Sequence, residues 1–200
     1  MQLRSVFRES LAEVGRAIRR PEELATRWRS GVNEERPHPM VFVALAASAI
    51  AGTAAWGLIA GLPDGPVEML SGAFWFPVAT GSAWLLAFPA LYVGNAIFGA
   101  RPSLETTALV ALICMSFGAL ALIATIPIVW FFGLAAPDDS FRSVVNIGVF
   151  ASVGIAMIDT FARVIQKLEP DRSPIYGFVW LGLVGCIGTE LLVLSNAFGF

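Results

Sequence analysis

Few side chains in this 200-residue chain are equipped for chemistry, and Glu190 stands out among them. It is the single charge in residues 173–200. It lies about eight residues, or roughly 12 Å, inside the end of an apolar segment. Ionisable groups so placed are costly, and they belong to a helix-bundle interior or a wet cavity. Three roles follow. The carboxylate could titrate in proton- or ion-coupled movement. It could tie helices together by hydrogen bonding, through Thr53 or Thr189, or it could meet a second subunit. The structural tie carries the greater weight, because a transporter normally shows more than one such residue. Asp159 and Arg163 stand four apart, so they share a helical face and can pair. Their place near a segment end lets Arg163 reach the headgroup layer, as expected of an interfacial structural pair. Asp159 and Glu190 fall at different depths and form no dyad.

The remaining chemistry is sparse. His38, the one histidine, sits between Pro37 and Pro39, outside the apolar segments, so none of those segments offers an imidazole to a haem or chlorophyll. Cys114 and Cys186 lie within apolar segments without metal or disulfide spacing. No H-E-x-x-H, G-x-S-x-G or P-loop pattern occurs. The expectation is a non-enzymatic protein without a cofactor. No basic, aromatic-interleaved patch suggests nucleic acid.

These residues are positioned by long apolar stretches. Apolar side chains make up 56% of the sequence and charged ones only 14%, against about 45–50% and 25% in soluble domains. Residues 37–63, 69–100, 106–137, 143–158 and 173–189 carry no charge. Crossing a bilayer core takes roughly 20 apolar residues. No segment alternates as a barrel strand would. The sequence therefore predicts an all-α, polytopic transmembrane helical bundle of about five spans, near residues 40–61, 69–98, 104–132, 144–168 and 175–197. It divides into an N-terminal region, 1–36, and a five-helix transmembrane domain, 37–200.

Five spans place twelve of the 13 basic residues on one side: Arg4, Arg8, Arg16, Arg19, Arg20, Arg27, Arg29, Arg36, Arg101, Arg163, Lys167 and Arg172. Arg142 alone faces the other way, near Asp64, Glu68, Asp138 and Asp139. By the positive-inside rule the N-terminus is cytoplasmic and the C-terminus outside. A bacterial cytoplasmic (inner) membrane is the expected location.

The 1–36 region opens with an amphipathic helix over residues 2–20, where Leu3, Phe7, Leu11, Val14 and Ile18 recur at three- and four-residue steps. Leu3, Phe7 and Leu11, with Arg4 and Arg8, are candidates for contacting a partner or anionic lipid. A helix packed on the protein's own loops is an equal reading, since six glutamates dilute the basic face. Pro21 with Glu22 and Glu23 starts a second helix. The first span is rich in small residues (Ala44, Ser48, Gly52, Ala55, Gly57), which let helix backbones approach closely and suggest a central position. Pro77 and Pro89, flanking Thr80-Gly81-Ser82, predict a bent or broken second span, and Pro127 a kink in the third.

The run Phe88-Pro89-Ala90-Leu91-Tyr92-Val93-Gly94-Asn95-Ala96-Ile97-Phe98-Gly99-Ala100-Arg101 draws these features together. Ser103-Leu104 follows it, and Pro127-Ile128-Val129-Trp130-Phe131-Phe132 comes later. Together with a charged N-terminal region, five spans and short loops, it resembles uncharacterised bacterial relatives of the Yip superfamily of small polytopic membrane proteins. The resemblance covers about residues 40–197 and implies a membrane organiser or adaptor with no catalytic residues. Membrane lipid and protein partners, within the membrane or at its cytoplasmic face, are then expected, and a homo-oligomer is left open. An accessory subunit of a larger energy-transducing or secretion complex is a related reading, and the alternative is a transporter or channel component using the proline-containing second span and Glu190.

Overall fold

The computed structural model describes residues 12–30, 38–97, 103–135, 138–170, 179, 182–187 and 190. Among them all regular structure is helical. Helix α1 covers residues 12–19, followed by α2 (Pro21–Ser30), α3 (Met40–Ala60), a 3-10 turn (Leu62–Asp64), α4 (Pro66–Ile97), α5 (Leu104–Ala135) and α6 (Asp139–Leu168). A further helix, α7, is described over residues 182–187. Four of these, α3 to α6, are long and apolar enough to cross a membrane. That is the build of a helical integral membrane protein. Most of the span expected at 175–197 lies outside the described residues.

Helix α3 packs chiefly on α5 and α4, and α6 packs on α5 and α2. The small residues of α3 explain its central place, because they form two ladders on different faces. Toward α5 run Ser48, Gly52 and Trp56. A Cβ on Gly52 would lie 2.8 Å from the Ala119 Cβ. On either side of that contact the Ser48 and Ser116 hydroxyls hydrogen-bond at 2.5 Å, and Trp56 Nε1 donates to Thr125 Oγ1 at 3.2 Å. Toward α4 run Thr53, Gly57 and Gly61. Gly57 and Gly72 are so close that a Cβ on either would strike the other's carbonyl. Such proximity suits a lipid environment, where packing and interhelical hydrogen bonds replace the missing hydrophobic drive.

The core falls into two clusters. At the end of the bundle carrying α1 and α2, here the near end, Leu45, Trp84, Leu91, Leu109, Ile113, Phe161 and Val164 pack with Leu24 and Trp28. Toward the far end, Trp56, Phe76 and Phe150 join α3, α4 and α6. Trp56 meets both phenylalanines edge-on at 4.8 Å, and the phenylalanines stack at 5.7 Å. Pairs of this kind contribute about 0.5–1.5 kcal/mol beyond area burial.

Helix α4 continues without interruption through Pro77 and Pro89, and α5 through Pro127. Each proline removes one backbone bond while leaving the helix intact, as neighbouring helices allow in a membrane.

Candidate functional site

The near end is built by the N-terminal segment. Pro21 occupies the first position of α2, where its missing N–H is no loss, and Glu22 and Glu23 favour the positive end of the helix dipole. The chain thereby turns from α1 into α2; α2 packs on α6 and α5, and both helices bury residues in the near-end cluster. Val14, Ala17, Pro21, Leu24, Ala25 and Trp28 are buried, Leu24 and Ala25 completely. Full burial of a leucine stabilises by about 1.5–3 kcal/mol relative to exposure in water. Trp28 packs edge-on against Phe42 at the start of α3, with centroids 5.0 Å apart.

Ion pairs fix the hairpin. Arg27 Nη2 donates to Glu13 Oε2 at 2.8 Å, joining α2 to α1, and Arg16 Nη1 donates to the other oxygen of the same carboxylate at 2.6 Å. Arg29 Nη1 donates to the Leu168 carbonyl. A guanidinium there satisfies an end carbonyl of α6 and complements its negative dipole end. At the start of α3, His38 Nδ1 accepts the Met40 N–H at 3.1 Å. The lone histidine therefore satisfies the first N–H of α3 from the position before the N-cap Pro39, a role its place between prolines did not disclose.

The far end has its own tie. Arg142 Nη1 donates to Asp64 Oδ1 at 3.0 Å, linking the α3–α4 turn to α6, whose first turn is capped by Asp138 accepting the Phe141 N–H at 2.7 Å. The two ends differ in charge. The near end holds Arg16, Arg19, Arg20, Arg27, Arg29, Arg163 and Lys167, interleaved with acids. The far end has Arg142 alone among the basic described residues, with Asp64, Glu68, Asp138 and Asp139.

The residues singled out from sequence do not gather into one pocket. Asp159 and Arg163 form their ion pair at 3.0 Å with both side chains exposed. Glu190 is helical and exposed. Thr53 donates its hydroxyl within its own helix, to Ala49 O at 2.8 Å and Ile50 O at 3.1 Å, and Thr189 lies outside the described residues. Leu3, Arg4, Phe7, Arg8 and Leu11 also lie outside them. Cys114 is buried and Cys186 exposed, both as free thiols. No group of three or more His, Cys, Asp or Glu side chains able to hold a metal occurs among the described residues. Sequence reasoning missed Glu13, Arg27 and Arg29 as the fasteners of the hairpin. A tertiary salt bridge fourteen residues apart and a bond to a helix end leave no local pattern to read.

Comparison of the chain with family models, with curated proteins and with solved structures finds no match in any of the three.

Proposed function

We propose that this chain is a non-enzymatic membrane organiser or adaptor that recruits or stabilises protein partners from the near end of its bundle. In this reading it spans a bacterial inner membrane five times, with the cytoplasmic N-terminus and external C-terminus that the distribution of Lys and Arg implies. The organiser role is the one that the resemblance to Yip-type proteins implies. The observation that carries it is the helical hairpin α1–α2, held to the bundle by Leu24, Trp28 and Arg29. A charged, water-facing element fixed to a membrane anchor suits recruitment. The residues leading into it, Leu3, Arg4, Phe7, Arg8 and Leu11, are the partner- or lipid-contacting set. The asymmetry of charge between the two ends supports the orientation.

The test is mild-detergent affinity purification from native membranes with mass spectrometry of what stays bound. Stoichiometric partners are expected with the wild type and are lost with Phe7→Glu/Leu11→Glu, which still inserts. Normal recruitment by that variant overturns the docking role. A second reading, a transporter or channel component, draws on the half-buried Thr80-Gly81-Ser82 stretch between Pro77 and Pro89 of α4. It predicts pH-dependent flux in liposomes that disappears in Glu190→Gln.

A further inference from the structure

The buried polar side chains of the spans find their partners within the chain. The Ser116 hydroxyl bonds that of Ser48, Thr53 and Thr160 donate to carbonyls one turn back in their own helices, and Thr107 donates to the Ser103 carbonyl. Asp159 has Arg163. Glu190 departs from this pattern, since among the described residues no ion pair or hydrogen bond engages it.

Its direction is also unusual. Helix α7 joins the bundle through the buried Val184 and the partly buried Ile187, both in the near-end cluster. Val179, Leu183, Cys186 and Glu190 follow one another at four- and three-residue steps and are all exposed, so they lie along one side of the helix, away from that contact. Glu190 stands about eight residues, or roughly 12 Å, inside the end of the apolar segment 175–197. Ionisable groups at such depth face a bundle interior or a wet cavity. An outward carboxylate obeys that rule when its side of α7 is the interior of a larger assembly.

Charge selects the occupant. Acyl chains offer a carboxylate no donor. The chain's own cations are placed elsewhere: residues 173–200 contain no Lys or Arg, and Arg142 at the far end is bonded to Asp64. The other described Lys and Arg residues stand at the near end. A second copy, related by a two-fold axis along the membrane normal, would set carboxylate against carboxylate at one depth. A base on a transmembrane helix of another protein satisfies both groups in a medium where each alone is costly.

We propose that the side of α7 bearing Val179, Leu183, Cys186 and Glu190 receives a transmembrane helix of a different membrane protein, whose Lys or Arg pairs with Glu190. The inference rests on residues 175–197 crossing the membrane as the fifth span and is independent of recruitment by the hairpin.

Photo-crosslinking of the full chain in native membranes, from a benzophenone amino acid in place of Leu183, tests it. The expected product joins the chain to one other membrane protein that carries Lys or Arg within a span. That product should fall at least tenfold in Glu190→Leu, which removes a charge from the span and still inserts, and in Glu190→Lys. Exchanging the base on the captured protein for Glu should restore the product with Glu190→Lys. Crosslinks to lipid alone or to a second copy overturn the proposal. A protein crosslink equally strong in Glu190→Leu, or to a protein without a base in its spans, overturns it too. Cys186, one turn from Glu190 on the same side, separates this failure from failure of the five-span reading. In intact membranes it should resist a charged, membrane-impermeant maleimide supplied at either face and react after denaturation. Reaction in intact membranes puts the segment in water and overturns both, whereas protection without a base-bearing neighbour overturns the present inference alone.

Discussion

Substituting Gly57 by alanine tests whether the α3–α4 crossing depends on backbone contact. The new methyl would meet the Gly72 carbonyl, with the carbonyl carbon 2.7 Å away, and Phe76 Cδ2 at 3.0 Å. Non-bonded carbons settle at about 3.5–4.0 Å, so the two helices must part by about 1 Å. Overpacking of this sort costs about 1–3 kcal/mol, and backbone on both sides puts Gly57→Ala near the upper end. Alanine's better helix propensity returns about 1 kcal/mol. The net loss is about 1–2 kcal/mol. In a chain of this size that lowers Tm by about 2–8 °C. The assay is thermal unfolding in mild detergent, with Gly81→Ala as the matched control. A Cβ at Gly81 meets nothing within 4 Å, so only the propensity gain applies and Tm should rise by about 2–4 °C. Gly72→Ala should resemble Gly57→Ala. The double variant should lose less than the two single losses combined, because the second methyl enters a gap already opened. A Gly57→Ala protein as stable as the wild type, or one that shifts in step with Gly81→Ala, refutes the reasoning.

Two further outcomes follow from the packing. Phe150→Ala removes the partly buried ring that joins α6 to both Trp56 and Phe76, and chemical denaturation in detergent should register a loss at or below the low end of the about 3–5 kcal/mol of a core phenylalanine. The Glu13–Arg27 pair is only partly shielded, at 17% and 32% side-chain exposure. A double-mutant cycle should therefore give a coupling of only about 0.2–1 kcal/mol, which weakens as salt is raised.

The helical spans were legible because charge is excluded from the bilayer core. The stretches expected near 40–61, 69–98, 104–132 and 144–168 correspond to α3 to α6, with differences at the ends where charge stops being informative, as at Glu68 inside α4 and Arg142 inside α6. The central place of α3 was readable in the spacing of Ala44, Ser48 and Gly52, since small residues four apart serve close packing. Which ladder meets α5 and which meets α4 was not, because glycine carries no preference for either partner. The fate of the N-terminal region was half legible. Val14 and Ile18 marked an apolar face equally suited to lipid headgroups or to the protein itself. Tertiary contacts decide for residues 12–30, where Val14 and Ala17 lie against the bundle. The Asp159–Arg163 pair follows from helix period alone.

The two-sided packing of α3 also bears on the order in which the chain is made. Its face bearing Gly57 and Gly61 is filled as soon as α4 emerges, because only residues 61–65 separate the two helices. Its other face, bearing Ser48, Gly52 and Trp56, meets its partners Ser116, Ala119 and Thr125 only after about sixty more residues have been translated. A nascent chain halted before α5 would present the Trp56 indole N–H to hydrocarbon, where unsatisfied polar groups are costly, whereas the Ser48 hydroxyl keeps the Leu45 carbonyl within α3 as a partner. The arrival of α5, which brings Thr125, ends that exposure.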